Sequence, residues 1–196
     1  MFVEDGSGSG YRAKVNKNSR LYVNAVSEQE ERRATKDGRS YNINTGSIEL
    51  TSANESGVLY LKNNETQDLH VTTIVVILGQ STGGSATDDT IIEVIRNPTA
   101  GTVVSDETAV DVISNRNFGS SETLTADAYK GAEAKTLTDG DQHILSLISE
   151  GSRVAFNIDE VLPKGASIGV TINPPASNSS MDVMVAVLCH LEDVND

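Results

Sequence analysis

The chain has 196 residues, 37% hydrophobic and 4% aromatic with no Trp, and a formal net charge of −13. That length suits one substantial core with an extension rather than two domains, and the acidic balance excludes wrapping of nucleic acid by the domain as a whole, because phosphates would be repelled. The longest apolar run, IVVILG at 74–79, is too short to span a bilayer; MFVEDGSGSG at the start has no apolar stretch of signal-peptide length, which predicts a soluble or assembled cytoplasmic product.

Charge is unevenly spread. Residues 1–39 hold eight Lys or Arg against six acids, a balance of +2, and the remainder holds seven against 22, a balance of −15. Residues 1–19, with the linker composition DGSGSG and no apolar period, read as a flexible arm. An arm opposite in sign to its body is suited to docking on an acidic surface, including the body of a neighbouring copy. Its candidate partner-binding residues are Tyr11, Arg12, Lys14, Lys17 and Arg20. RLYVNAV (20–26) alternates as a first short strand. SEQEERRATKDG (27–38) begins as a capped helix, with Ser27 as N-cap and Glu30 three positions on. It lacks an apolar stripe, so it reads as a surface helix turn or connector ending at Gly38. The arm, short strand and connector fill residues 1–39, and a β-sandwich domain is predicted over 40–196.

From Tyr41 strands follow at regular intervals. SYNINTGSIELT gives a strand, or a hairpin about Thr45 and Gly46, and GVLYLKNNE a strand with Leu59 and Leu61 on one face. LHVTTIVVILG and TIIEVIRNP follow, the second stopped at Asn97 and Pro98. TAGTVVS, AVDVISNRNFGSS, LTADAYKG, HILSLISEG and RVAFNIDEVLPKG continue the series, with a turn near TDGDQ. About ten strands with turn signals between them and no long helix predict an all-β sandwich or jelly roll. Residues 166–191 are the most apolar pair of strands, read as a hairpin closed by the polar loop NPPASNSS. Val183, Val185, Val187 and Cys189 share one face; Met184, Ala186 and Leu188 share the other, which makes that second row a candidate subunit interface.

No active site is legible. His70, His143 and His190 lack the spacing of metal or triad motifs, and adjacent Cys189 and His190 point to opposite faces of a strand. Asp88, Asp89, Asp139 and Asp141 sit in acidic turns without the full calcium-loop pattern. The sequons at Asn54, Asn64 and Asn178 fit chance in a Ser/Thr-rich chain. No catalytic, cofactor-binding or metal residue and no cofactor is predicted, and Cys189 reads as a small buried hydrophobe.

Five segments, SYNINTGSIELT (40–51), VLYLKNNE (58–65), VIRNPTAGT (94–102), NRNFGSSETLTADAYKG (115–131) and LPKGASIGVTINPPASNSSM (162–181), together resemble virion structural proteins of tailed bacteriophages. The resemblance implies an all-β, capsid- or tail-associated subunit repeated on the particle, assembled in the host cytoplasm and without enzymatic activity. Within that class the favoured reading is a capsid decoration or cement protein. It would act as a homotrimer and contact other virion proteins, above all the major capsid protein, with no direct nucleic acid or membrane partner. The alternatives are a tail, fibre or baseplate component whose loops QSTGGSATDD or NPPASNSS meet the host surface, and a carbohydrate-active enzyme on a jelly roll.

Overall fold

The computed structural model describes residues 2–4, 12–14, 30–80, 82, 89–149 and 151–192. The chain forms two compact units, Met1–Glu30 and Glu31–Asp196. In the first, β1 (Phe2–Glu4) pairs antiparallel with β2 (Arg12–Lys14), so a short ladder flanks the DGSGSG stretch that the sequence leaves as plain linker. The strand expected over 20–26 and the cap at Ser27 lie outside the described residues.

The second unit is the expected all-β sandwich. Its strands are β3 (Ser40–Asn44), β4 (Ile48–Leu50), β5 (Ser56–Asn63), β6 (Leu69–Leu78), β7 (Asp89–Arg96), β8 (Val112–Asn115), β9 (Ala126–Lys130), β10 (Asp141–Ser149), β11 (Arg153–Leu162), β12 (Ser167–Asn173) and β13 (Met181–Leu191). One sheet runs β10-β7-β12-β5-β9 and the other β11-β6-β13-β3-β8, with β4 also on β13. The eight principal strands, β3, β5, β6, β7, β10, β11, β12 and β13, pair in nested order. The first meets the eighth, the second the seventh, the third the sixth and the fourth the fifth. Together with the β6–β13 and β7–β12 pairs, this is the doubled Greek key of a jelly roll.

Period-two alternation explains the core. Ile43, Ile74, Val76, Val183, Val185, Val187 and Cys189 face inward from one sheet; Leu59, Leu61, Ile92, Val94, Ile168, Val170 and Ile172 face them from the other. A smaller cluster on the outside of the second group's sheet joins Tyr60, Ile95, Val103 and Leu137. Gly169 makes room for it: a Cβ there would lie 2.6 Å from Leu137 Cδ1. The small outer face of β12 is therefore the seat of a covering loop.

Two local expectations are corrected and one pair of alternatives is decided. Residues 166–191 are not a hairpin: β12 and β13 are the middle strands of opposite sheets, and 174–180 carries the chain from one sheet to the other. A seven-residue link with two prolines lacks the tight turn that would fold one strand back onto the next. TAGTVVS contributes no strand. Gly101, at φ 110°, redirects the backbone into one helical turn, α2 (Thr102–Ser105), whose Val103 is buried in the outer cluster; that contact outweighs the β preference of paired valines. Of the strand or hairpin expected over SYNINTGSIELT, the strand forms, since β3 and β4 both pair with β13 and make one strand path broken at Thr45–Gly46.

The 27–38 connector contains a seven-residue helix, α1 (Glu30–Lys36), with Ala34 buried. Gly38 ends it at φ 75°. Asn117 Nδ2 donates to Lys36 O and Asn115 Nδ2 to Gly38 O, and Glu31 pairs with Arg116, so the helix is tied to the end of β8.

Candidate functional site

The predicted interface row lies where the alternation put it. On β13 Val183, Val185, Val187 and Cys189 are fully buried, while Met184, Ala186 and Leu188 stand half-buried on the outer face of their sheet. Register carries the row sideways: Met184 is opposite Ile77, Ala186 opposite Val75 and Leu188 opposite Thr73 on β6. Ile77 is 40% exposed. The result is an apolar band on the outside of a sheet whose inner face is already packed. The arm residues Tyr11, Arg12, Lys14, Lys17 and Arg20 fall outside the described side chains.

Folding also brings together histidines that sequence spacing left apart. His70 and His190 are cross-strand partners, with ring centroids 5.0 Å apart and planes 25° from parallel. Cys189, next in the chain, points the opposite way into the core. Burial pushes its thiol up to about 12, with Arg116 pulling weakly the other way, so it packs as a hydrophobe. Among the described residues no group of three or more His, Cys, Asp or Glu could hold a metal ion. The Asn178 sequon nitrogen is engaged: Nδ2 donates to Leu50 O at 2.9 Å and Ser52 O at 3.0 Å.

The third histidine lines a cavity of about 350 Å³ bounded by Arg96, Asn97, His143, Glu160, Leu162 and Ser167 among others. Two irregularities aim its polar residues. The β10–β7 register shifts between Gln142 and Ile144, which makes His143 the extra residue. The β11–β6 register shifts between Asn157 and Glu160, where Asp159 takes φ 49°. His143 Nε2 thereby comes within 2.9 Å of Glu160 Oε1. Ser167 Oγ, the hydroxyl in this lining, donates to Pro98 O at 2.8 Å. The pair can bind and orient a polar group, and an imidazole held by a carboxylate can exchange a proton; a positioned nucleophile is not among the lining residues described. Sequence reasoning missed this pairing because a bulge is a single extra residue with no composition of its own.

No family model matches the chain, and no curated protein matches it. Among solved structures, a chain of the Triatoma virus empty capsid aligns over 79% of this chain and 70% of its own, at 9% identity and a TM-score of 0.25. That overlap is loose, and the topology above is read from this chain's own strand pairing. No described helix is long and apolar enough to cross a membrane.

Proposed function

We propose that the chain is a non-enzymatic virion structural protein of a tailed bacteriophage, a capsid decoration protein that stabilises the particle through homotrimeric contacts. The observation that supports this reading is the half-covered outer band of Met184, Ala186 and Leu188 on the middle strand of a jelly roll whose interior is filled by its own side chains. A packed interior leaves the outside of the sandwich for function, and an apolar band on an otherwise acidic body is where identical subunits can meet without charge repulsion. The major capsid protein is the second partner, and the basic N-terminal segment supplies charge of the sign an acidic partner surface attracts.

The deciding experiment is the copy number and position of the protein in purified particles, with a challenge by heat and low salt with and without it. Many copies over the shell and a raised resistance are expected. A handful of copies confined to the tail refutes the decoration role. Met184→Asp tests the band: the domain keeps its β fold by circular dichroism while the trimer is lost, whereas an unfolded domain would make Met184 a core residue.

A further inference from the structure

Each sheet of the sandwich ends in two edge strands, and natural sheets protect such edges because an unpaired ladder templates pairing with another chain. Three of the four are protected among the described residues. The outer edge of β9 is capped by residues 108–110: Val110 N donates to Ala128 O, Lys130 N donates to Thr108 O, and Ala109 bridges Tyr129. β8 is only four residues long. β11 carries Arg153, Asp159 and Glu160 and is broken by its bulge.

β10 has none of these protections. From Gln142 to Ser149 it contains no Asp, Glu, Lys, Arg, Pro or Gly, in a chain with 28 acids. Its register against β7 is regular from Ile144 to Ser149, and among the described residues no strand pairs its other side. Leu145 and Leu147 stand on its outer face 59% and 65% exposed. Ile144, Ser146 and Ile148 face the interior half-buried, with Ile144 and Ile148 packed against the core. The stretch Ile144-Leu145-Ser146-Leu147-Ile148 also reads the same in both directions.

We infer that the β10 edge joins two copies of this chain, antiparallel, about a two-fold axis at Ser146. Residues directly opposite in an antiparallel pair share a face, so the axis must fall on a residue. On Ser146 it sets Leu145 against Leu147 of the partner subunit on the outer face and Ile144 against Ile148 of the partner subunit on the inner face. Ser146 meets its own counterpart. Apolar meets apolar at every position of the palindrome and no like charges are brought together, which a body of net −15 offers at few places. A strand from an unrelated protein would have no use for this two-fold symmetry of sequence. Two five-stranded sheets become one of ten. This contact is two-fold and separate from the three-fold contact proposed through β13, so it stands or falls independently of the decoration role.

The test is sedimentation of the purified full-length protein with the variants Leu145→Glu, Leu147→Lys and the two combined. Both side chains are exposed in the single subunit, so each variant should keep the β signal of the folded subunit by circular dichroism, which separates lost association from lost folding. Each single variant is expected to halve the wild-type association state, because a charge then faces a leucine across the axis. The double variant is expected to restore it, because the introduced carboxylate of each copy then faces the introduced ammonium of the other, twice over. A monomeric wild type, or single variants that associate like wild type, overturns the interface. Failure of the double variant to recover overturns the pairing about Ser146.

Discussion

Thr45 Oγ1 accepts the N–H of Val185 at 3.0 Å inside the sheet, standing in for a ladder carbonyl at the break between β3 and β4. The Thr45 N–H returns a bond to Val185 O at 3.0 Å, and Thr45 Oγ1 donates to Gly46 O at 2.9 Å. The break in the strand is thus bridged by one hydroxyl, fully buried. Thr45→Val keeps the shape and removes the acceptor. It should cost about 1–3 kcal/mol, the range for a buried donor left unpaired. Thr45→Ser should retain most of the stability. Urea unfolding midpoints measure both, and an unchanged midpoint for Thr45→Val would refute the role.

Cys189 should be silent to thiol reagents in the folded protein. With its pKa pushed up to about 12 and its side chain fully buried, the thiolate that reacts is scarce and inaccessible. Labelling should appear only as the sheet opens in denaturant, in step with the loss of β signal by circular dichroism. Fast labelling of the native protein would mean that β13 opens locally.

Glu93 gives the fold a pH dependence of known sign. Burial raises its carboxyl above the ordinary 4.5, neighbouring Glu55 adds to the rise, and a hydrogen bond from Gln142 opposes it. The folded state therefore holds a proton that the unfolded state has released. This contribution is complete below 4.5 and is lost as pH rises through the folded value. Glu93→Gln should flatten that part of the stability profile, read from denaturation midpoints at a series of pH values. An unchanged slope would assign the dependence to other groups.

Gly131 sits where a side chain has no room. A Cβ there would lie 1.6 Å from Gly57 O, while Gly131 N donates to Val58 O at 3.0 Å. Gly131→Ala must push apart the 57–58 and 131 backbones and should cost at least the roughly 1–3 kcal/mol of ordinary overpacking. A thermal melt shows it. A fall of less than a degree or two would mean that the loop moves freely.

The alternation of apolar residues made most strands legible, from LHVTTIVVILG as β6 to RVAFNIDEVLPKG as β11, because inward side chains repeat every second residue whichever sheet a strand joins. What alternation does not encode is the partner. Residues 166–191 contain two correctly placed strands and a wrong relation between them, since neither Pro174 nor Pro175 says whether the chain turns back or crosses the core. The candidate surfaces divide the same way. The row Met184, Ala186, Leu188 follows from period two alone, whereas the meeting of His143 with Glu160 depends on two bulges. The exposure of β10 depends on knowing which strand lies at a sheet edge.

The crossing at 174–180 also dictates when the fold can exist. The middle strand of each sheet is made after the strands on either side of it, and β3 must wait about 140 residues for its partner on β13. Before β12 and β13 are made neither sheet has its centre, and β7 and β6 present open ladders and bare apolar side chains. Such distant pairing makes folding slow and leaves the nascent chain open to mispairing. Assembly is therefore postponed until β13 is made, and a chain cut short before Met181 would keep one sheet whole while leaving β11-β6 and β3-β8 with no strand to join them.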